Sequence, residues 1–239
     1  MHRFYLANLQ QPALGAEEAH HALHVLRLKA GDTVNVFDGR GHEAQASISQ
    51  ISHQSVQLKL LTQSNSSPLP CRITLAQAIP KKSMDLIVQK ATELGVAMIV
   101  PLASERSVVK LDDDSKKMER WREIALESCK QCGNNWLPEI QSPRKAHDFL
   151  ATLPPYDLKL IGSLQPDAKP LKKILGDSAR PSSILILVGP EGDFTPAEIN
   201  LAKSAGCLPL SLGPLVLRAE TAAIYTLSIL HHELQNRQS

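Results

Sequence analysis

The chain has 239 residues and a formal net charge of +2; 43% of the residues are hydrophobic and 21% are charged. This composition excludes a disordered chain or a fibre and is sufficient for a buried core. No segment reaches the roughly 18 apolar residues that a membrane helix needs, and the N-terminus lacks the order of a signal peptide. The sequence therefore predicts a soluble, cytoplasmic protein of one large or two small domains, with no membrane partner.

The first part of the chain alternates apolar and polar side chains, as half-buried strands do. The predicted strands are 33–37, 43–51 and 55–61. One helix is predicted at 16–28, ending before Gly31. Asp38 and Gly39 favour a hairpin between the first two strands. Short strands with a single helix predict a small β-barrel domain at 1–68.

Residues 39–44 match the pattern G-x-G-x-x-A, which binds dinucleotides where a strand leads into a helix. Here a strand with period two follows instead, so the hairpin is the better interpretation. The chain contains no Walker A sequence and no G-x-S-x-G motif. P-loop chemistry and α/β-hydrolase chemistry are therefore not the leading hypotheses.

A polar segment with two prolines at 62–70 is interpreted as a linker, and after it strand and helix patterns alternate. The predicted strands are 72–78, 97–101, 157–162, 183–188 and 207–212. The predicted helices are 82–94, 115–132, 146–153, 196–205 and 219–234. This alternation predicts an α/β domain at 71–239 with a mainly parallel sheet.

Three groups of residues resemble metal ligands. Cys129 and Cys132 form a C-x-x-C pair, but no second pair or histidine at ligand spacing follows. His20 and His24 share a helix face that no acidic residue or cysteine completes. Three aspartates at 112–114 precede a helix, where capping explains them. We therefore expect reduced thiols and no metal site.

The most informative segments are 187–194 and 210–218, each of which leaves a predicted strand through a Gly-Pro loop. Loops at the carboxyl ends of strands bind ligands in open α/β sheets. The lining is apolar and poor in cations, which suits a flat group such as adenine better than a polyphosphate. Two ordinary strand-to-helix turns remain the alternative.

Residues 187–194, followed by 212–221, resemble the signature of the RsmE family, the small-subunit ribosomal RNA uridine-N3 methyltransferases of the SPOUT superfamily. The resemblance covers nearly the whole chain. Further motifs typical of the family are 2–4, 24–27, 37–39, 89–95, 104–107 and 127–133.

The resemblance implies a PUA-like RNA-binding barrel followed by a SPOUT domain with a trefoil knot. It implies S-adenosylmethionine (SAM) as cofactor, 16S rRNA or the small ribosomal subunit as substrate, and a homodimer whose RNA site uses both subunits. The last helix offers a dimer face, unless its apolar stripe packs within one subunit. The cofactor-binding candidates are Gly162, Leu187, Gly189, Pro190, Glu191, Gly192, Leu212, Gly213, Pro214 and Leu217.

Arg218 is the candidate for stabilising negative charge on the uridine, and Glu220 or Glu191 for accepting its N3 proton or fixing Arg218. The candidates for phosphate contacts are Arg3, Arg27, Lys29, Lys81, Lys82 and Arg106. The chain departs from many relatives, which have glycine at Asp193, arginine at Leu215 and a His-Pro pair near Gly162 and Ser163.

Two alternative functions remain at this point. One is a non-catalytic RNA-binding assembly factor, and the other is methylation of a ribose 2′-hydroxyl or a transfer-RNA base. Spacing alone does not decide between them.

Overall fold

A computed structural model describes residues 1–52, 55–107, 115–176 and 180–235. The chain forms two compact units. The first contains Met1–Pro68 and Leu126–Leu137, and the second contains Leu69–Ala125 and Pro138–Ser239. The three aspartates at 112–114 lie outside the described residues.

The first unit is built on a five-stranded sheet. Its strands are β1 (Arg3–Tyr5), β2 (Ala13–Leu14), β3 (Thr33–Phe37), β4 (His42–Ile51) and β5 (Val56–Asn65). The strand order is β1-β3-β4-β5-β2, in which β1 is parallel to β3 and the other pairs are antiparallel. Alternate residues of β3 and β4, such as Val34, Val36, Ala44 and Ala46, are buried in its core, as the period of two predicts.

Strand β5 is longer than the sequence suggests. Its last four residues pair with β4, in a register that joins His42 to Asn65 and Gln45 to Thr62. The linker predicted at 62–70 is therefore wrong for residues 62–65, which belong to β5. This end of the hairpin is exposed, so it forms without apolar side chains to mark it.

The single helix predicted at 16–28 is present, but it is shorter than predicted and is not α-helical throughout. Helix α1 (Ala16–His20) passes into a π-helical turn at His21–Val25, and Arg27 then adopts a φ of 56°. Ala22 within this turn is fully buried, and Leu26 N–H bonds to the carbonyl of His21 at 3.0 Å. Apolar spacing does not distinguish a π turn from an α-helix, because both bury one face.

The β3–β4 connection is a hairpin loop. Asp38 Oδ1 accepts hydrogen bonds from the backbone N–H groups of Arg40 (2.7 Å) and His42 (3.1 Å). Gly41 has a φ of 97°, and a Cβ there would lie 2.5 Å from the Trp136 ring. Turn geometry and packing explain this glycine, so the dinucleotide motif is excluded.

The second unit is an α/β layer structure. Its strands are β6 (Arg72–Ala78), β7 (Met98–Ala103), β8 (Glu139–Ile140), β9 (Arg144–Lys145), β10 (Leu158–Gly162), β11 (Lys169–Pro170), β12 (Ser183–Val188) and β13 (Leu208–Ser211). Its helices are α2 (Met84–Glu93), α3 (Ser115–Cys132, which continues into the first unit), α4 (Ala146–Ala151), α5 (Leu171–Gly176), α6 (Pro196–Ser204) and α7 (Ala219–Gln235).

The sheet order is β11-β13-β10-β12-β6-β7-β8, with β9 also paired to β7. The strand pairs given by the described residues are parallel, which confirms the predicted α/β class. The central strands β6 and β12 are buried almost throughout, because helices cover both faces of the sheet. One of these helices, α6, begins with the capping box that the sequence predicts between Thr195 and Glu198.

The apolar stripe of α7 packs inside the chain. Ala223, Leu227, Leu230 and Leu234 are at most 7% exposed, and α7 packs against α2. The proposal that this stripe forms a dimer face is therefore wrong, because its area is already buried within one subunit. Among the described helices, none has the length and apolarity to cross a membrane.

Candidate functional site

Three adjacent strands, β13, β10 and β12, end at one pocket of the second unit. The lining residues are Gly162, Ser163, Leu164, Val188, Gly189, Pro190, Glu191, Asp193, Leu212, Gly213, Leu215, Val216, Leu217, Ala219 and Ala222. The pocket holds about 620 Å³ when the space at its open mouth is included. It lies at the carboxyl edge of the sheet, where open α/β folds bind ligands.

The pocket wall is mainly apolar and carries acidic groups without basic ones. Leu215 is 72% and Val216 is 78% exposed, so both present apolar surface to a ligand. Glu191 and Asp193 are its charged lining residues, and no lysine or arginine is among them. A polyphosphate would be repelled here, whereas a flat group that carries positive charge would be favoured.

The loop after β12 folds around Asp193. This residue has a φ of 59°, and its Oδ1 accepts a hydrogen bond from the N–H of Phe194 at 2.7 Å. Its own N–H donates to the carbonyl of Pro190 at 3.0 Å. Aspartate tolerates this left-handed conformation better than most residues, so the departure from glycine is accommodated.

Two neighbouring segments brace the same loop. Lys81 N–H donates to Glu191 Oε1 at 2.9 Å, and Arg106 Nη1 donates to the carbonyl of Gly192 at 2.7 Å. Lys81 follows the end of β6, and Arg106 follows the end of β7. The loop is therefore held from outside the pocket by a backbone donor and a guanidinium.

The loops that follow β10 and β13 meet at Gly162. A Cβ on this residue would lie 3.7 Å from the carbonyl oxygen of Leu187 and 4.0 Å from Leu212 Cδ1, so all three strand ends are in contact range. Ser163 N–H continues the pairing by donating to Leu210 O at 3.0 Å. Gly213 has a φ of 106° with open space around its Cβ position, so its conformation, not crowding, requires glycine.

The structure brings most of the cofactor-binding candidates together. Gly162, Gly189, Pro190, Glu191, Leu212, Gly213 and Leu217 line the pocket. Leu187, Gly192 and Pro214 do not: Leu187 is fully buried within β12, and the other two lie outside the lining. The functional roles of all ten residues stay predictions.

Sequence reasoning missed several lining residues. Val188 ends β12 next to Gly189, Asp193 follows Gly192 in the loop, and Leu215 and Val216 stand between Pro214 and Leu217. Extending each motif to its whole loop would have included them. Ala219 and Ala222 gave no signal, since small residues in a helix are usually interpreted as packing.

The three catalytic candidates lie in different surroundings. Glu191 lines the pocket, whereas Arg218 and Glu220 do not. Arg218 is exposed between Leu217 and Ala219, which do line it, and within the described part of the chain its guanidinium has no partner. Glu220 Oε2 accepts a hydrogen bond from Ser83 Oγ at 2.9 Å.

Five of the six phosphate candidates are exposed: Arg27, Lys29, Lys81, Lys82 and Arg106. In the second unit, Lys81 and Arg106 contact the β12 loop as described above. Lys81 makes this contact with its backbone and Arg106 with its side chain, and neither residue lines the pocket.

Arg3 is the exception. Its guanidinium donates to Cys129 O at 3.0 Å, also bonds Asn135 Oδ1, and lies 4.2 Å from the centre of the Phe37 ring. Burial lowers the pKa of Arg3, against the nearby Glu43 charge. The side chain thus joins residues 126–137 to the rest of the first unit, and its assignment to phosphate binding stays a prediction.

The cysteines are not arranged as ligands. Burial raises the pKa of Cys71 and Cys207 to about 11 and that of Cys129 to about 12, so these groups remain neutral thiols. Cys132 is exposed. Within the residues that the structure describes, no three histidine, cysteine or acidic side chains come together as a metal site would require.

Comparisons with known proteins agree with this geometry. Residues 67–231 match the model of an RNA methyltransferase domain, and residues 14–61 match an RNA methyltransferase PUA domain. The ribosomal RNA small subunit methyltransferase E of Bacillus subtilis is 32% identical to this chain over 231 residues, which cover 93% of this chain and 90% of the relative.

Two solved structures are similar over nearly their whole length. A protein of Legionella pneumophila, solved with the bound cofactor SAM, has 37% identity and a TM-score of 0.89, covering 97% of each chain. The ribosomal RNA small subunit methyltransferase E of Neisseria gonorrhoeae, bound to S-adenosyl methionine, has 33% identity and a TM-score of 0.87, covering 98% of each chain.

Proposed function

The chain belongs to the family of the ribosomal RNA small subunit methyltransferases E, and from this membership we propose that it methylates N3 of a uridine in 16S rRNA with SAM as methyl donor. The pocket at the ends of β10, β12 and β13 carries the proposal. Its apolar wall suits the adenine, and its Glu191 and Asp193 suit the positive sulfonium and amino groups.

When bound, SAM supplies a methyl group that its sulfonium charge already activates. The chain must then align the uridine and make N3 nucleophilic. Arg218, exposed beside the pocket, hydrogen-bonds a uracil carbonyl oxygen and stabilises the negative charge as N3 loses its proton. Glu191, which lines the pocket, accepts that proton. Glu220, bonded to Ser83, holds the segment that carries Arg218.

The RNA is recognised by exposed cations of both units. Lys81 and Arg106 contact the β12 loop, and the exposed Lys82 follows Lys81 in the chain. Arg27 and Lys29 belong to the PUA unit, to which we assign residues 1–68. The target uridine has to leave any base stack to reach the methyl group, so a looped or single-stranded site is expected. The knotted chain path, the homodimer and the cytoplasmic location belong to this proposal as well.

The test uses small ribosomal subunits from cells that lack the protein. Incubation with the purified chain and SAM should add one methyl group to one uridine, located by mass mapping of rRNA fragments. Methylation of a ribose, or SAM binding without any transfer, would contradict the proposal. Binding of RNA without binding of SAM in calorimetry would favour a non-catalytic assembly factor.

A further inference from the structure

A buried glutamine lies beneath the pocket without belonging to its lining. Gln77 is fully buried on β6, where its neighbours in the sheet are Val188 of β12 and Pro101 of β7. By the alternation of the strand, its side chain is on the opposite face from Ala76 and Ala78, which belong to the core of the other face. A long polar side chain at the centre of a parallel sheet is unusual.

The amide of Gln77 connects β6 to the point where β12 leaves the sheet. Its Nε2 donates to Ala78 O at 2.8 Å and approaches the carbonyls of Val188 at 3.4 Å and Gly189 at 3.5 Å. Val188 and Gly189 line the pocket. The latter two contacts are at the long end of hydrogen bonding, so one amide group is shared among three carbonyls.

The other end of the same amide is unpaired. Gln77 Oε1 is buried and has no hydrogen-bond partner among the described residues. Such an orphaned acceptor destabilises a fold, and an apolar side chain of the same length would avoid that cost. The amide oxygen therefore contributes no hydrogen bond to stability, whereas the amide nitrogen bonds Ala78 O and also contacts the backbone that lines the pocket.

We propose that Gln77 is a positioning residue for SAM binding: it orients the Val188 and Gly189 carbonyls at the floor of the pocket. Together with the Lys81 N–H that holds Glu191, it fixes the first residues of the β12 loop. The inference rests on the proposed function, since SAM is the ligand that this floor would receive.

The test compares Gln77→Met with wild type by calorimetry with SAM and by thermal unfolding without it. Methionine keeps the length of the side chain and removes both the unpaired oxygen and the hydrogen bond to Ala78 O, which have opposite effects on stability, so the unfolding temperature should change little. The Kd for SAM should rise roughly tenfold, as the loss of a polar interaction predicts. Affinity for RNA, measured in parallel without SAM, should not change.

Thr74→Val is the matched control. Thr74 is buried on the same strand and accepts a hydrogen bond from the Tyr156 hydroxyl at 3.2 Å, and it does not line the pocket. This variant should lose some stability and keep its affinity for SAM, the opposite of Gln77→Met.

A folded Gln77→Met protein that binds SAM as tightly as wild type would overturn the inference. If methionine prevents folding, Gln77→Asn withdraws the amide by one methylene and is measured in the same way. Loss of the fold in both variants would assign Gln77 to stability alone and also overturn it. Failure of the wild-type chain to bind SAM would instead count against the proposed function.

Discussion

Ser83 Oγ donates a hydrogen bond to Glu220 Oε2 at 2.9 Å, and this bond joins the residue before α2 to the first turn of α7. Both residues are partly buried. Arg218 stands two positions before Glu220, so the bond restrains the segment on which Arg218 is carried. The position of the proposed electrostatic group thus depends on a contact outside the pocket.

Glu220→Gln should leave methyl transfer within about threefold of wild type, because the amide oxygen still accepts the Ser83 hydrogen bond. Glu220→Ala removes the acceptor and should lower the free energy of unfolding by about 1–2 kcal/mol. Denaturant unfolding and single-turnover assays measure the two effects. Loss of transfer in a stable Glu220→Gln protein would identify Glu220, rather than Glu191, as the proton acceptor.

Asp193→Gly should be nearly neutral for folding, because glycine adopts the positive φ of this position freely. It should weaken SAM binding, because a carboxylate that lines the pocket and attracts the positive ligand is lost. Asp193→Ala should destabilise the protein by about 1 kcal/mol, since alanine is strained there and loses the bond to the Phe194 N–H. Urea unfolding of the pair provides the comparison. Equal stability of the two variants would show that the backbone conformation imposes no requirement.

The sequence predicts the regular part of the second unit closely. The bounds of β6, β12 and α3 agree with prediction, because long apolar runs or charged helical periods mark them. Helix α5 and the two-residue strands β8, β9 and β11 are too short to show a period. The π turn was missed because apolar spacing does not distinguish it from an α-helix, and the exposed end of β5 was missed because no apolar side chains mark it.

The pocket was predictable in outline only. The Gly-Pro loops identify its two sides, and the family resemblance adds Gly162 as the third. Sequence cannot show that Arg3 is engaged within its own unit, because that depends on residues more than a hundred positions away. It equally cannot show that Gln77 lies beneath the pocket floor, since one buried polar residue in an apolar strand carries no recognisable pattern.

Arg27→Gly should raise the free energy of unfolding by up to about 1 kcal/mol, because Arg27 has a φ of 56° and glycine adopts it without strain. The same variant should bind RNA more weakly and show a salt dependence reduced by about 0.7 in log–log slope, as the loss of one phosphate contact predicts. Arg27→Lys keeps the charge and should retain most of the affinity. Unchanged RNA binding by the glycine variant would remove Arg27 from the interface.

Stability should fall as the pH rises above 9. Burial raises the folded-state pKa of Cys129 from 9.0 to about 12, so the unfolded chain ionises first. This stabilising contribution is complete below pH 9 and is lost progressively as the pH approaches 12. Cys129→Ala should show a smaller decline of the urea midpoint between pH 8.5 and 10.5 (about two units, chosen to bracket the onset). Equal declines of the urea midpoint in wild type and in Cys129→Ala would place Cys129 outside the core.

Arg218→Ala should fold and bind SAM within about threefold of wild type, because its side chain is exposed and outside the pocket lining. Single-turnover methyl transfer should fall by about a hundredfold or more, as expected when a preorganised electrostatic group is removed. Raising the pH should restore part of the rate, because hydroxide then removes the N3 proton that Arg218 no longer makes acidic. Arg218→Lys keeps the charge but lacks the planar guanidinium, so its single-turnover rate should lie between those of wild type and Arg218→Ala. Near-normal transfer by Arg218→Ala at neutral pH would exclude the residue from the chemistry and leave the acidification of N3 to the exposed lysines nearby.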